Sequence, residues 1–257
     1  MPNAKASRST GMPRTFLTII FYEGDDTLMP LYDFGLLLFV APAMILGMVA
    51  QGWIRSAYSR ASRVPARMSG ARAAEYILSA NGMAGMPIEQ VPGQLSDHYD
   101  PRHKVIRLSE AVYHGQSLAA LGIAAHEVGH AIQDHQRYAP LVLRNLAVPM
   151  ASIGSNGAIL LMIIGVAMSQ LSFLAVVGIL LYGGVVVFQL INLPVEYNAS
   201  TRAKRQLVEL GLISQEELPY VSKVLHAAAL TYVAATLQAI LTILYFVMRF
   251  LGGGRRD

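Results

Sequence analysis

The chain has 257 residues, of which 54% are apolar and 14% charged, with a net charge of +4. Both fractions lie far from ordinary soluble values and point to a chain that spends much of its length in a membrane. The absence of cysteine excludes disulfides, cysteine-ligated metals and a cysteine nucleophile, and it fits a reducing compartment. Residues 1–30 read as an N-terminal extension, expected to be poorly ordered, with an apolar patch (Phe16–Phe21) too short to span a bilayer and an alternative start at Met29. A first uncharged run, Phe34–Ile54, follows, and the segment 31–54 is read as a transmembrane helix. Arg55, Arg60, Arg63, Arg67 and Arg72 come directly after it, in what reads as a basic linker over Arg55–Pro65. The positive-inside rule puts these arginines in the cytoplasm, near anionic headgroups. They account for the basic balance without a nucleic-acid partner, and the contact expected of them is membrane lipid.

The segment 55–144 alternates short elements. Ser69 can cap a helix from Gly70 to about Asn81, stopped by Gly82. Pro87–Pro92 reads as extended and Asp97–Arg102 as a turn. His103–Ser109 alternates polar and apolar residues and is read as a strand. Ser117 caps a helix that should end near His135 and that carries His126-Glu-Val-Gly-His130 without interruption. Histidines at i and i+4 stand one above the other on a helix face, where two neutral imidazoles can share one tetrahedral Zn²⁺. The intervening Glu127 then lies beside the metal, positioned to take a proton from its water, as in a zinc peptidase.

Two further uncharged runs, Asn145–Gln170 and Leu171–Leu193, are separated only by Ser169-Gln170 and read as a hairpin of spans over 145–193. The hairpin returns segment 194–226 to the side of His126. There, Tyr197 to about Leu210 reads as a helix closed by Gly211, and Ser214–Glu217 has the pattern of a capping box opening the last helix. Pro219 either bends that helix or begins its main body. The fourth run, Ala227–Met248, places a last span over 227–251, with a tail at 252–257. The expectation is a mainly α polytopic membrane protein with about four transmembrane helices and a small cytoplasmic zincin-like α+β catalytic domain. Both termini would then lie outside.

A catalytic zinc takes three protein ligands and keeps a fourth position open. After His130, Gln133 and Gln136 occupy the places where a metzincin has its glycine and third histidine. His135 is near but out of phase. Glu196, on the first turn of the helix after the hairpin, is the other candidate, and a favourable N-terminal charge is its plain alternative. Donors to the oxyanion of a tetrahedral intermediate are sought among Arg202, His226, Tyr232 and His98. The expected partner is a peptide or protein substrate, whose chain would add as a strand beside His103–Ser109.

The segments Leu95–Arg102, Ala124–Gln133, Leu193–Ser200 and Ala227–Ala234 resemble the YugP-type neutral zinc metallopeptidases of bacteria, over roughly Leu31–Leu251. The resemblance implies a membrane gluzincin of the bacterial inner membrane, with one zinc on His126, His130 and Glu196 and with Glu127 as the base. More distantly the chain is similar to the HtpX and CAAX prenyl protease group, whose third ligand lies in an E-x-x-A-D pattern. Here that pattern is Glu196-Tyr-Asn-Ala-Ser200, with serine where an aspartate would orient a metal histidine. The rival readings are a membrane-anchored scaffold or chaperone-like protein with a structural zinc, which a fourth protein ligand would mark, and a metallohydrolase or transporter of small molecules. Transport predicts ionisable residues inside the spans, and the four runs hold no acidic, basic or histidine side chain.

Overall fold

The computed structural model describes residues 34–253, apart from the side chains at 150, 152–156, 169 and 253. The extension read over 1–30 lies outside the described residues, as does most of the tail. The fold is mainly helical. Helix α1 (Phe34–Ser62) is followed by α2 (Gly70–Ala80), strands β1 (Ile88–Val91), β2 (His98–Asp100) and β3 (Val105–Ser109), and a short α3 (Glu110–Tyr113). Then come α4 (Leu118–His135), α5 (Ala139–Ala167), a single 3₁₀ turn at Ser169–Leu171, α6 (Phe173–Glu209) and α7 (Leu218–Gly253).

Among the described residues three helices are long and apolar enough to cross a membrane: α1, α6 and α7. Their exposed Leu38, Val49, Leu180, Leu190, Leu244 and Leu251 suit a lipid surround. The second apolar run falls in α5, whose described apolar stretch is the shorter Gly157–Ala167. Helices α5 and α6 form the expected hairpin, and glycine lets them approach closely. A Cβ on Gly165 would lie 2.1 Å from the backbone nitrogen of Ala175.

Several elements run longer than read. The basic linker over Arg55–Pro65 is helical to Ser62, because Ala57 and Ala61 are buried in the same core as α4 and continue α1 into it. The third span and the helix after it are one rod, α6, passing through Pro194. Proline removes one backbone bond there, but the buried residues Asn192, Val195, Glu196, Ala199, Ser200, Ala203 and Leu207 recur at helical spacing and hold the rod against its neighbours. The capping box forms, with the Ser214 N–H donating to Glu217 and the Glu217 N–H donating to Ser214 Oγ, and α7 starts directly after it.

The sheet has the order β1-β3-β2, with β1 parallel and β2 antiparallel to β3. The segment read as a turn at Asp97–Arg102 contains β2, pairing His98 with Arg107 and Asp100 with Val105. The turn comes afterwards, where Asp100 accepts the backbone N–H groups of Arg102 and His103. Strand β3 starts later than read, at Val105, because Lys104 sits in the left-handed region at φ 55°. It is the central strand, so no chain can add beside it; the edge left on that side belongs to β2. The hydrophobic residues form two clusters. One joins α2, β3, α4, the end of α6 and the start of α7, and the other joins α5, α6 and α7 around Met162, Tyr182 and Phe246.

Candidate metal centre

Helix α4 starts at Ser117, whose hydroxyl accepts the N–H of Ala120. Most of its residues are buried, which its alanines and glycines permit. Gly129 is decisive. A Cβ there would lie 2.6 Å from the carbonyl oxygen of Ala199, so only glycine allows α4 to press on the backbone of α6 at this point. That contact brings Glu196 under the two histidines. Its Oε2 lies 3.3 Å from His126 Nε2 and 3.6 Å from His130 Nε2. With bonds of about 2.0–2.1 Å, neighbouring donors of a tetrahedral zinc stand roughly 3.3–3.4 Å apart. The three side chains therefore fit one ion with little movement, and their donor atoms form a group that could hold a metal. Gly129→Ala is expected to lower stability by about 1–3 kcal/mol and to weaken zinc binding, read by thermal melting in micelles and by zinc titration.

The far side of each ring is held. Gln133 is fully buried, and its Nε2 donates to Val195 O at 2.8 Å and to Asn198 Oδ1 at 3.0 Å. A backbone carbonyl only accepts, so this fixes the amide with Oε1 toward His130 Nδ1, 3.0 Å away. His130 must then carry its proton on Nδ1, which leaves the Nε2 lone pair facing the metal position. His126 Nδ1 is 3.1 Å from Ser200 Oγ, so the serine at the end of the Glu196–Ser200 pattern serves His126. Burial opposes the ionisation of Glu196, but hydrogen bonds and charge from His126 and His130 outweigh it and hold the carboxyl well below the usual range.

Glu127 stands beside the trio and is buried. Its Oε2 accepts the Tyr99 backbone N–H at 3.0 Å, from the outer edge of β2. Burial, aided by the charges of Glu196 and Asp97 and opposed by His126 and the Tyr99 N–H, pushes its pKa up to about 7. Asp97 is held by the Ser109 N–H and hydroxyl, at 2.7 and 3.0 Å. A polar cavity of about 130 Å³ faces the trio and is also lined by His98, Arg144 and Tyr232.

The proposed oxyanion donors separate. Tyr232 and His98 reach the cavity. His98 Nδ1 is 2.7 Å from the Ser96 carbonyl and so carries the ring proton, which makes Nε2 a donor only in the charged ring. Arg202 does not line the cavity. It donates to Asn198 and Gln136 and lies over the Tyr138 ring, bracing the amide that orients Gln133. His226 is also away from the cavity, 3.3 Å from Lys204 Nζ. His135 is exposed at the end of α4 and is not in the metal group. Arg144 escaped the sequence reading because it looks like the flanking charge of a span. It lines the cavity, and its Nε is buried with no hydrogen-bond partner.

Residues 36–251 match the model of a family described as "Putative neutral zinc metallopeptidase". The chain is 46% identical over 213 residues to "Putative membrane protease YugP" of Bacillus subtilis (strain 168), covering 82% of this chain and 94% of that protein. No solved structure matches the chain.

Proposed function

The chain belongs to this zinc metallopeptidase family, and from that premise we propose that it is a membrane-embedded endopeptidase with His126, His130 and Glu196 as its zinc ligands and Glu127 as its general base. The observation that carries the reading is the position of Glu127, buried beside the trio, outside it, and fixed by the Tyr99 N–H at the edge of a cavity. Bound zinc supplies a Lewis acid and a water of lowered pKa. Glu127 accepts the proton of the attacking water and delivers it to the leaving amine. Tyr232 and Arg144 are the donors available to the oxygen that gains charge. An extended substrate is placed along β2, where it shares the edge with Glu127, which already takes the Tyr99 N–H. A structural zinc would call for a fourth protein ligand, and among the described residues the metal group has three. Hydrolysis of denatured casein by the zinc-loaded parent and by Glu127→Gln tests the reading.

The same packing supports a four-span membrane arrangement. Gly129 of α4 touches Ala199 of α6, so both lie on one side of the bilayer. The chain between them must cross an even number of times. Helix α6 crosses once, and α5, its hairpin partner, therefore crosses as well, which makes four spans. The arginines after α1 put the centre in the cytoplasm. A reporter active only outside the cytoplasm is expected to be silent when fused at Gly115 and active at Gly254. The reverse pattern would turn the protein over and make its substrates extracytoplasmic.

A further inference from the structure

The metal group borders a second, larger cavity. It has a volume of about 750 Å³ and shares His126, Glu127 and Glu196 with the polar one. Its other walls are mainly apolar and come from α1 (Ile54), α4 (Ile123) and α7 (Val224, Ala228). A volume of this size is ample for a ligand group. Leu95 also lines it, yet is 72% exposed, so this side chain stands at the rim. Its backbone is in the left-handed region, at φ 56°. A branched side chain is disfavoured there, where glycine or asparagine would be at ease. Strain of this kind concentrates where a side chain is needed for contact rather than for stability. Leu95 also lies just before β2, so a chain laid along β2 toward Glu127 passes the rim.

We infer that this cavity, with Leu95 as its lip, receives a large apolar side chain of the substrate next to the scissile bond. The protein then selects sites flanked by residues such as Leu, Phe or Met over sites flanked by Gly, Ser or charged residues. The occupant is substrate because anything filling the cavity lies against Glu127. The inference rests on the hydrolytic reading above and adds its specificity.

The experiment uses the full chain, zinc-loaded in detergent micelles, with denatured casein as probe and mass spectrometry of the products. The parent is expected to enrich large apolar residues at one position beside the cut. Ala228→Phe, which narrows the cavity from its α7 wall, is expected to lower kcat/KM roughly tenfold or more for Leu-flanked peptides while Ala-flanked peptides change little. Leu95→Gly removes the lip and the strain together; melting temperature should hold or rise while the apolar preference falls. Zinc content is measured for each variant. A parent that cuts casein without apolar preference, or with a preference that both folded, zinc-loaded variants retain, overturns the inference alone. A lipid that co-purifies with the parent and is lost in Ala228→Phe, with the cleavage profile unchanged, assigns the cavity to an acyl chain and overturns it too. A zinc-loaded parent that cuts no faster than Glu127→Gln overturns the hydrolytic reading and this inference with it.

Discussion

Glu127→Gln is expected to retain zinc and fold while losing casein hydrolysis by about 10²–10⁴-fold, the usual weight of a positioned general base. The two side chains have the same shape, and a glutamine oxygen can still accept the Tyr99 N–H that holds Glu127 at 3.0 Å. Its amide cannot take a proton from water. Burial gives the substitution a second consequence. Glu127 is a carboxylate whose burial raises its pKa, and the charges of Glu196 and Asp97 raise it further. In the zinc-free protein, removing that charge relieves a cost, so the zinc-free variant's melting temperature should equal or exceed that of the zinc-free parent. Activity is read from initial rates, zinc from elemental analysis and stability from melting in micelles. Equal rates in parent and variant would sink the mechanism, whatever the zinc content.

What the sequence revealed is what chemistry and local geometry encode. The caps at Ser69 and Ser117, the box at Ser214–Glu217 and the histidine pair are all written within a few residues of where they act. What it hid depends on contacts between distant segments. Strand β2 has three residues, too few for alternation to show, and it exists through its pairing with β3. The central position of β3 is likewise a property of the sheet. Arg202 was sought as a donor to the oxyanion, and its work is to brace Asn198, itself bonded to Gln133. Arg144 was given no role in the sequence because its cavity is assembled from β2, α4, α5, α6 and α7. One signal was available and passed over. Apolar or small residues recur at helical spacing on both sides of Pro194, with Ala175, Gly178 and Val185 before it and Val195, Ala199, Ala203 and Leu207 after it, and this periodicity marks α6 as one rod.

Glu196→Ala is expected to abolish stoichiometric zinc binding. In the proposed site the residue supplies one of three ligands, from a different helix than the other two, and would join α4 to α6 at the metal. The two histidines alone would hold the ion from one helix face, with more of its coordination left to water. Losing an outer partner of a metal ligand costs roughly 10–100-fold in affinity. Gln133→Leu, which removes the amide that orients His130, should fall in that range. Glu196→Ala should exceed it. Both can be measured by competition with a chelator of known affinity and by elemental analysis after purification. His135→Ala provides the contrast, because that side chain is exposed at the end of α4, and its zinc content and activity should match the parent. Full zinc occupancy in Glu196→Ala together with loss in His135→Ala would transfer the third ligand to His135. The contact of Gly129 with Ala199 would then serve packing alone.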